Sequence, residues 1–180
     1  MAFVLNFRIR KAAVEDAVDV AALAERTFRN TFSAENTPED MDEHCRKAYS
    51  TEIQSAELAS SDVVTLVCEG PDRTLIAYAQ LRSGAPPRIA SPAPLELWRF
   101  YVDHAHHGQG VAQQLMATTI ETAIARGART LWLGVWERNP RAQAFYRKIG
   151  FVDVGAHTFV VGSDAQTDRL MVLALEGRGE

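Results

Sequence analysis

Cysteine, long apolar runs and excess positive charge are all scarce in this sequence, and each scarcity excludes something. Only two cysteines, Cys45 and Cys68, stand among the 180 residues. They form no CxxC pair and no Cys/His ligand spacing, so neither a disulfide framework nor a metal site is expected, and a reduced, cytoplasmic setting fits. No run of about 18 apolar residues exists, which removes a transmembrane helix. The segment Met1 to Arg10 mixes apolar residues with Asn6, Arg8 and Arg10 and lacks the apolar core and cleavage site of a signal peptide. A net charge of −4 gives no basis for binding nucleic acid. It is compatible with a cationic small-molecule partner, although an ordinary solvated surface accounts for it too. Internal repeats and low-complexity tracts are absent.

What is present fits one α/β domain with a core of ordinary size: 47% of residues are apolar and 23% charged. Phe3 to Arg10 reads as a first strand. Val14, Val18, Ala21, Phe28 and Phe32 fall near a 3.6-residue period and predict an amphipathic helix over residues 14–32. Pro38, capped by Thr37, opens a second helix, and residues 51–59 form a third. Strands follow at 63–68 and 75–81 around a Gly70-Pro71-Asp72 turn, then a loop at 83–94 and a strand at 95–102. Residues 110–126 form a helix stopped by Gly127, and 131–136 is an almost wholly apolar strand. A short helix runs from Asn139-Pro140 to Lys148 with Gly150 as its stop. Two strands, 151–161 and 170–175, close the chain around a polar loop at 162–168.

The sharpest local signal is His106-His107-Gly108-Gln109-Gly110-Val111-Ala112, set between a strand and a helix. Glycines let backbone approach a ligand, and the unpaired N–H groups of a helix start attract anions. A phosphate site and a plain glycine turn are both consistent with these residues alone. The dinucleotide fingerprint G-x-G-x-x-G fails because Gln113 stands at the third glycine, and the P-loop pattern is absent.

The segment Tyr101-Val102-(x)4-His107-x-x-Gly110-x-Ala112 resembles the Q/R-x-x-G-x-G/A signature of the GNAT superfamily of N-acetyltransferases. His107 stands where Gln or Arg is usual, and Ala112 takes the permitted alternative to Gly. The second segment of that family also matches: Leu131-Trp132-Leu133-Gly134-Val135, then Asn139, then Phe145-Tyr146-x-x-x-Gly150-Phe151. A closer likeness, to the Pai-type spermidine/spermine N-acetyltransferases, is carried by Thr27-Phe28-x-x-Thr31-Phe32, Glu35-Asn36-x-Pro38-Glu39, Trp136-Glu137, Gly155-Ala156-His157-x-Phe159 and Gln166-Thr167-Asp168. The resemblance implies a single-domain GNAT fold over residues 1–180, with a coenzyme A-binding core at about 95–150. Its sheet would be mixed, mostly antiparallel and splayed into a V after Val102 and before Leu131, with helices on both faces. It implies acetyl-CoA as cosubstrate and a homodimer, a common state in that family.

The chemistry so implied is direct attack of a primary amine, a polyamine foremost, on the acetyl thioester. The alternatives are another small amine, a peptide N-terminus, or a coenzyme A sensor without turnover. An amine of pKa near 10.4 is only about 1 part in 2,500 neutral at pH 7, a penalty of about 4.6 kcal/mol. A base is therefore sought, and the candidates are Glu96, Glu137 or a water chain. For Glu96 a structural pairing with Arg99 competes with that role, and for Glu137 a plain surface charge does. The resemblance assigns the proton donor for the departing thiolate to Tyr146. The family loop, Gly108, Gln109, Gly110, Val111 and Ala112 with His107, would hold pyrophosphate. Tyr101 would flank the pantetheine by its backbone, and a bulge in that strand would free the Val102 N–H to polarise the thioester, which is worth roughly 3 to 4 kcal/mol. Asn139 would touch the pantetheine, although a helix cap alone explains it. Trp98 reads as core and His44 as a surface residue. His157 fits either a structural or an acceptor-side place.

Overall fold

The computed structural model describes residues 7–161 and 163–176. It contains strands β1 (Arg8–Lys11), β2 (Val63–Glu69), β3 (Leu75–Ser83), β4 (Pro94–Val102), β5 (Thr130–Trp136), β6 (Val152–Val161) and β7 (Asp164–Ala174). The helices are α1 (Ala17–Phe32), α2 (Pro38–Tyr49), α3 (Thr51–Ala59), α4 (Val111–Ala125) and α5 (Pro140–Ile149). Of the first strand expected from Phe3, residues 3–6 lie outside the described residues.

All seven strands join one sheet in the order β1-β2-β3-β4-β5-β7-β6. Every pairing is antiparallel except β4–β5, which is parallel and spans only Pro94↔Thr130, Leu95↔Leu131 and Glu96↔Trp132. Beyond Glu96 the two central strands separate, which produces the V. The helices divide between the two faces. One core joins the sheet to α4 and α5 through Leu115, Met116, Leu133 and Tyr146; the other joins it to α1 and α2 through Phe28, Phe32, Met41 and Trp136.

Local sequence explains most element ends. The Thr37 hydroxyl accepts from the Asp40 N–H ahead of Pro38, and the Asn139 side chain accepts from the Ala142 N–H ahead of Pro140. Gly127 and Gly150 end α4 and α5 in the left-handed region, with φ of 82° and 113°.

Two boundaries differ from expectation. The polar stretch expected as a loop at 162–168 is mostly strand: β7 starts at Asp164 and pairs with β6 from there to Val172. Alternation along a surface-facing hairpin gives few apolar residues, so polarity alone imitates a loop. Val14, ahead of α1, and Val18 within it are exposed, and the buried stripe of the helix runs through Val20, Leu23, Ala24, Thr27 and Phe28. A short 3-10 turn at Val14–Asp16 resets the helical phase.

Behind β4 a buried polar cluster ties α3 to the sheet. Arg99, 7% exposed, donates to Glu57 Oε2 at 2.6 Å, to Gln80 Oε1 at 2.7 Å and to the Ala48 carbonyl at 3.3 Å. Gln80 donates in turn to Gln54 and Thr65. A buried guanidinium needs this many partners to offset its lost hydration.

Candidate active site

The separation of β4 and β5 opens a cavity of about 530 Å³ that passes through the sheet. One mouth lies between α4 and α5, and the other faces α1 and α2.

At the first mouth lies the glycine loop. Gly108 and Gly110 have φ of 75° and 81°, which a side-chain-bearing residue rarely adopts, and nothing lies within 4 Å of a Cβ built on Gly108. Gly110 leads into α4, so the first helical N–H groups from Val111 and Ala112 onward face the opening. Gln109 folds back to donate to the Ala105 carbonyl at 2.9 Å. His107 sits with Nε2 2.8 Å from the Val102 carbonyl and Nδ1 2.9 Å from Arg141 Nη1. Because a carbonyl and a guanidinium flank the ring, the fitting tautomer donates from Nε2 and accepts at Nδ1. Burial, with Arg141 adding to it, lowers the His107 pKa, so the ring is neutral at pH 7. An open loop of backbone donors beside the Arg141 guanidinium, which has no carboxylate partner among the described residues, fits a pyrophosphate. Arg141 was not foreseen; its place one residue after Pro140, on the first turn of α5, was the available signal.

Along β4 the register places the free N–H groups. The Asp103 N–H donates to the Ile76 carbonyl at 2.8 Å. Alternation then assigns the polar groups of Tyr101 and Arg99 to β3 and turns those of Phe100 and Val102 toward the gap. The strand does carry a bulge, at Trp98, where the register shifts opposite Gln80 and Leu81. The Val102 N–H is turned free by the departure of β5, four residues beyond that bulge. What Tyr101 adds to the cavity is its ring, stacked on Tyr78 with centroids 5.8 Å apart.

Tyr146 lines the cavity from α5, only 8% exposed, packed edge-on against Phe145 and Phe151, each with its ring centroid 5.6 Å away. Burial pushes its phenol pKa far above the usual value, so it carries its proton across the working pH range.

The second mouth is walled by aromatic rings. Phe28 stacks on Phe32 at 4.4 Å and on His44 at 4.3 Å; Phe32 meets Trp136 at 5.1 Å, and His44 meets Phe159 at 5.8 Å. His44 is thus a wall of the chamber and not the surface residue expected. Trp98 is half-buried between the guanidinium groups of Arg82 and Arg99, 3.9 and 3.7 Å from its centroid, and does not belong to the core.

Both foreseen carboxylates are poorly placed to act as base. Glu96 lines the closed end of the cavity but is ion-paired with Arg82, not with Arg99. Glu137 is exposed and lies outside the cavity lining. The carboxylate that does face the chamber is Asp168 on β7, 8% exposed, with Oδ1 buried and no hydrogen-bond partner among the described residues. Its Oδ2 lies 4.0 Å from His157 Nε2. Burial first, and the charge of Glu137 second, push its pKa up to about 6. Gly134 faces this pair: a Cβ there would sit 2.9 Å from His157 Nε2 and 3.1 Å from Asp168 Oδ2. A side chain there would push both of these side-chain tips aside. Among the described residues no three His, Cys, Asp or Glu side chains gather as a metal site. Cys45 and Cys68 are buried thiols whose pKa values burial raises to about 11 and about 12.

A sheet parted between parallel strands, with an open glycine loop at one mouth and a buried phenol inside, gives a donor and an acceptor room to meet. The chain belongs to the acetyltransferase (GNAT) family, whose family model matches residues 20–151. An uncharacterised N-acetyltransferase of Lactobacillus delbrueckii subsp. lactis is 30% identical over 93% of this chain and 97% of its own. Another, from Mycobacterium tuberculosis, is 32% identical over 89% and 98%. Among solved structures, the PaiA N-acetyltransferase of Thermoplasma acidophilum, in complex with coenzyme A, superposes with a TM-score of 0.77 at 22% identity, covering 93% of this chain and 98% of that one. The protein is an N-acetyltransferase with acetyl-CoA as its acetyl donor. No described helix is long and apolar enough to cross a membrane.

Proposed function

We propose that the chain transfers the acetyl group of acetyl-CoA directly to a primary amine of a polyamine such as spermidine or spermine. The observation that carries this reading is the cavity's passage through the sheet. A donor approaching the α4/α5 mouth and an amine approaching the α1/α2 mouth meet at the closed end of the V, so no acyl-enzyme is needed. This reading gives several of these groups a role. The glycine loop, with His107 and Arg141, holds the pyrophosphate. The outward N–H groups of Phe100 and Val102 bind the extended arm of the donor and its carbonyl oxygen. Asn139 keeps α5 in place by its cap, and Tyr146 supplies the proton that the sulfur needs on departure.

The aromatic rings of the second mouth support an alkylammonium acceptor. Their faces attract cations, at about 0.5–2 kcal/mol for a well-placed ring. The same reading places the enzyme in the cytoplasm, as a homodimer, with its buried thiols reduced.

The test is release of free coenzyme A with spermidine, spermine, single amino acids, an aminoglycoside and a short alanine-terminated peptide compared at equal concentration. Saturable turnover with the polyamines, at least tenfold above the others in kcat/KM, is the expected result. A preference for the peptide or an amino acid keeps the transfer chemistry and discards the polyamine. No turnover with any acceptor, together with tight coenzyme A binding, moves the chain to a sensing role.

A further inference from the structure

The mechanism so far leaves the amine without a proton acceptor. A polyamine arrives as an ammonium ion, and Glu96, the carboxylate nearest the closed end, is neutralised by Arg82. Asp168 is different. It is buried, its Oδ1 has no partner among the described residues, and it lines the chamber on the α1/α2 face. Its position along the cleft is set by Gly134, two residues past the last β4–β5 pair at Glu96↔Trp132. That is where the strands first part. Asp168 and His157 reach into the volume that a side chain at 134 would take. Sheet register enforces the juxtaposition, since Asp168 is opposite Trp136 on β5 and opposite His157 on β6. A buried carboxylate without a partner is expensive to hold, and it persists where a ligand completes it.

We propose that Asp168 receives the acceptor's ammonium group and takes its proton, with His157 as a positioning residue beside it. The inference rests on the acetyl-transfer reading above. In the step, an N–H bond of the ammonium breaks and its proton passes to the Asp168 carboxylate. The freed lone pair forms the N–C bond to the acetyl carbon. The C–S bond breaks, and the sulfur takes the proton of Tyr146. The nitrogen sheds a second proton, which replaces that of Tyr146, and Asp168 returns its own to solvent. One proton is released for each amide formed.

Titratable groups surround Asp168 on several sides: His157 from β6, Glu137 just past β5, and His44 from α2 across the chamber. From α1 the wall presents Phe28, Thr31 and Phe32, which carry no charge. The carboxylate's pKa of about 6 suits a base working near neutral pH.

The test is Asp168→Asn, which preserves shape and removes the base. In the native enzyme, ionised Asp168 and the charged amine coexist between pH about 6 and the amine's own pKa of roughly 10. The profile of kcat/KM for spermidine is therefore flat between those limits and falls below pH about 6. In Asp168→Asn only the rare neutral amine reacts. Its kcat/KM drops on the order of 10²-fold at pH 7.5 and climbs about tenfold per pH unit toward pH 10. Coenzyme A affinity stays unchanged. The folded state holds the Asp168 proton more tightly than the unfolded chain, so stability falls as pH rises from the ordinary value of 3.8 to about 6 and stays lower above it, and the variant's melting temperature at pH 7.5 should not fall. Gly134→Ala, which displaces the pair without changing charge, should also lower kcat/KM for the amine and spare coenzyme A binding. A second arm needs no turnover: calorimetry of spermidine with the coenzyme A-loaded protein should show at least tenfold weaker binding in Asp168→Asn. Native-like kcat/KM with a flat profile in Asp168→Asn overturns the proposal. If the native protein turns over no amine, the acetyl-transfer reading fails, and equal spermidine binding by the two proteins then overturns the anchor as well.

Discussion

Replacing Tyr146 with Phe should lower kcat on the order of 10²-fold or more while coenzyme A affinity changes less than about threefold. The ring itself is structural: it fills a space bounded by Phe100, Phe145 and Phe151, and Phe retains all of those contacts. Only the hydroxyl is removed. Because burial raises the phenol's pKa, no ionised fraction competes with proton donation at pH 6–9, and the native kcat should show no basic limb from this residue in that range. Single-turnover measurements separate the two effects, since a lost proton donor slows acetyl transfer and leaves donor binding alone. An unchanged single-turnover rate in Tyr146→Phe would assign the proton to another source and leave Tyr146 a packing residue.

Glu57→Leu should be among the most destabilising single substitutions in the chain, by roughly 3 to 5 kcal/mol. The Arg99 guanidinium is almost fully enclosed, and Glu57 is its only carboxylate partner among the described residues. Without Glu57 its charge keeps only the neutral partners Gln80 and the Ala48 carbonyl and the ring faces of Tyr49 and Trp98. At roughly 2 to 4 °C per kcal/mol for a chain of this size, the melting temperature should fall by about 6 to 20 °C. The double variant Glu57→Leu/Arg99→Met should recover most of that loss, because an apolar pair removes the unpaired charge together with its partner. Urea midpoints for the four species give the coupling. A single variant that loses less than about 1 kcal/mol would mean that water reaches Arg99 and the site is not enclosed.

What the sequence made legible follows the reach of each interaction. The glycine loop, the Asn139 cap, the Gly150 stop and Tyr146 are encoded within a few residues, because backbone angles and helix ends are local matters. The succession of strands and helices along the chain could be read for the same reason, whereas the parting of the sheet and the role of Tyr146 came from the family resemblance. Asp168 could not be read as a site residue. Its meaning depends on a partner eleven positions back in β6, on a glycine in β5, and on a hairpin whose polar face imitates a loop. Glu96 misled in the opposite sense: a strand-borne carboxylate looked available, and its neutralising partner, Arg82, lies fourteen residues earlier on the adjoining strand. The Arg99–Glu57 pair spans 42 residues and joins a strand to a helix with no shared motif. His44 and Trp98 were assigned by the average habits of their residue types, and the particular face each one shows to the cavity decided otherwise.

The three-pair seam between β4 and β5 has a meaning beyond the shape of the cleft. An unpaired strand edge on a protein surface is a hazard, since another extended chain can add to it and begin aggregation. Here the two edges are turned inward and flanked by helices on both sides of the sheet. A folded neighbour cannot reach them, and only a slender, extended molecule carrying its own amide groups can slide between. The fold thus keeps an adhesive surface at its centre and lets molecular width alone decide what sticks to it.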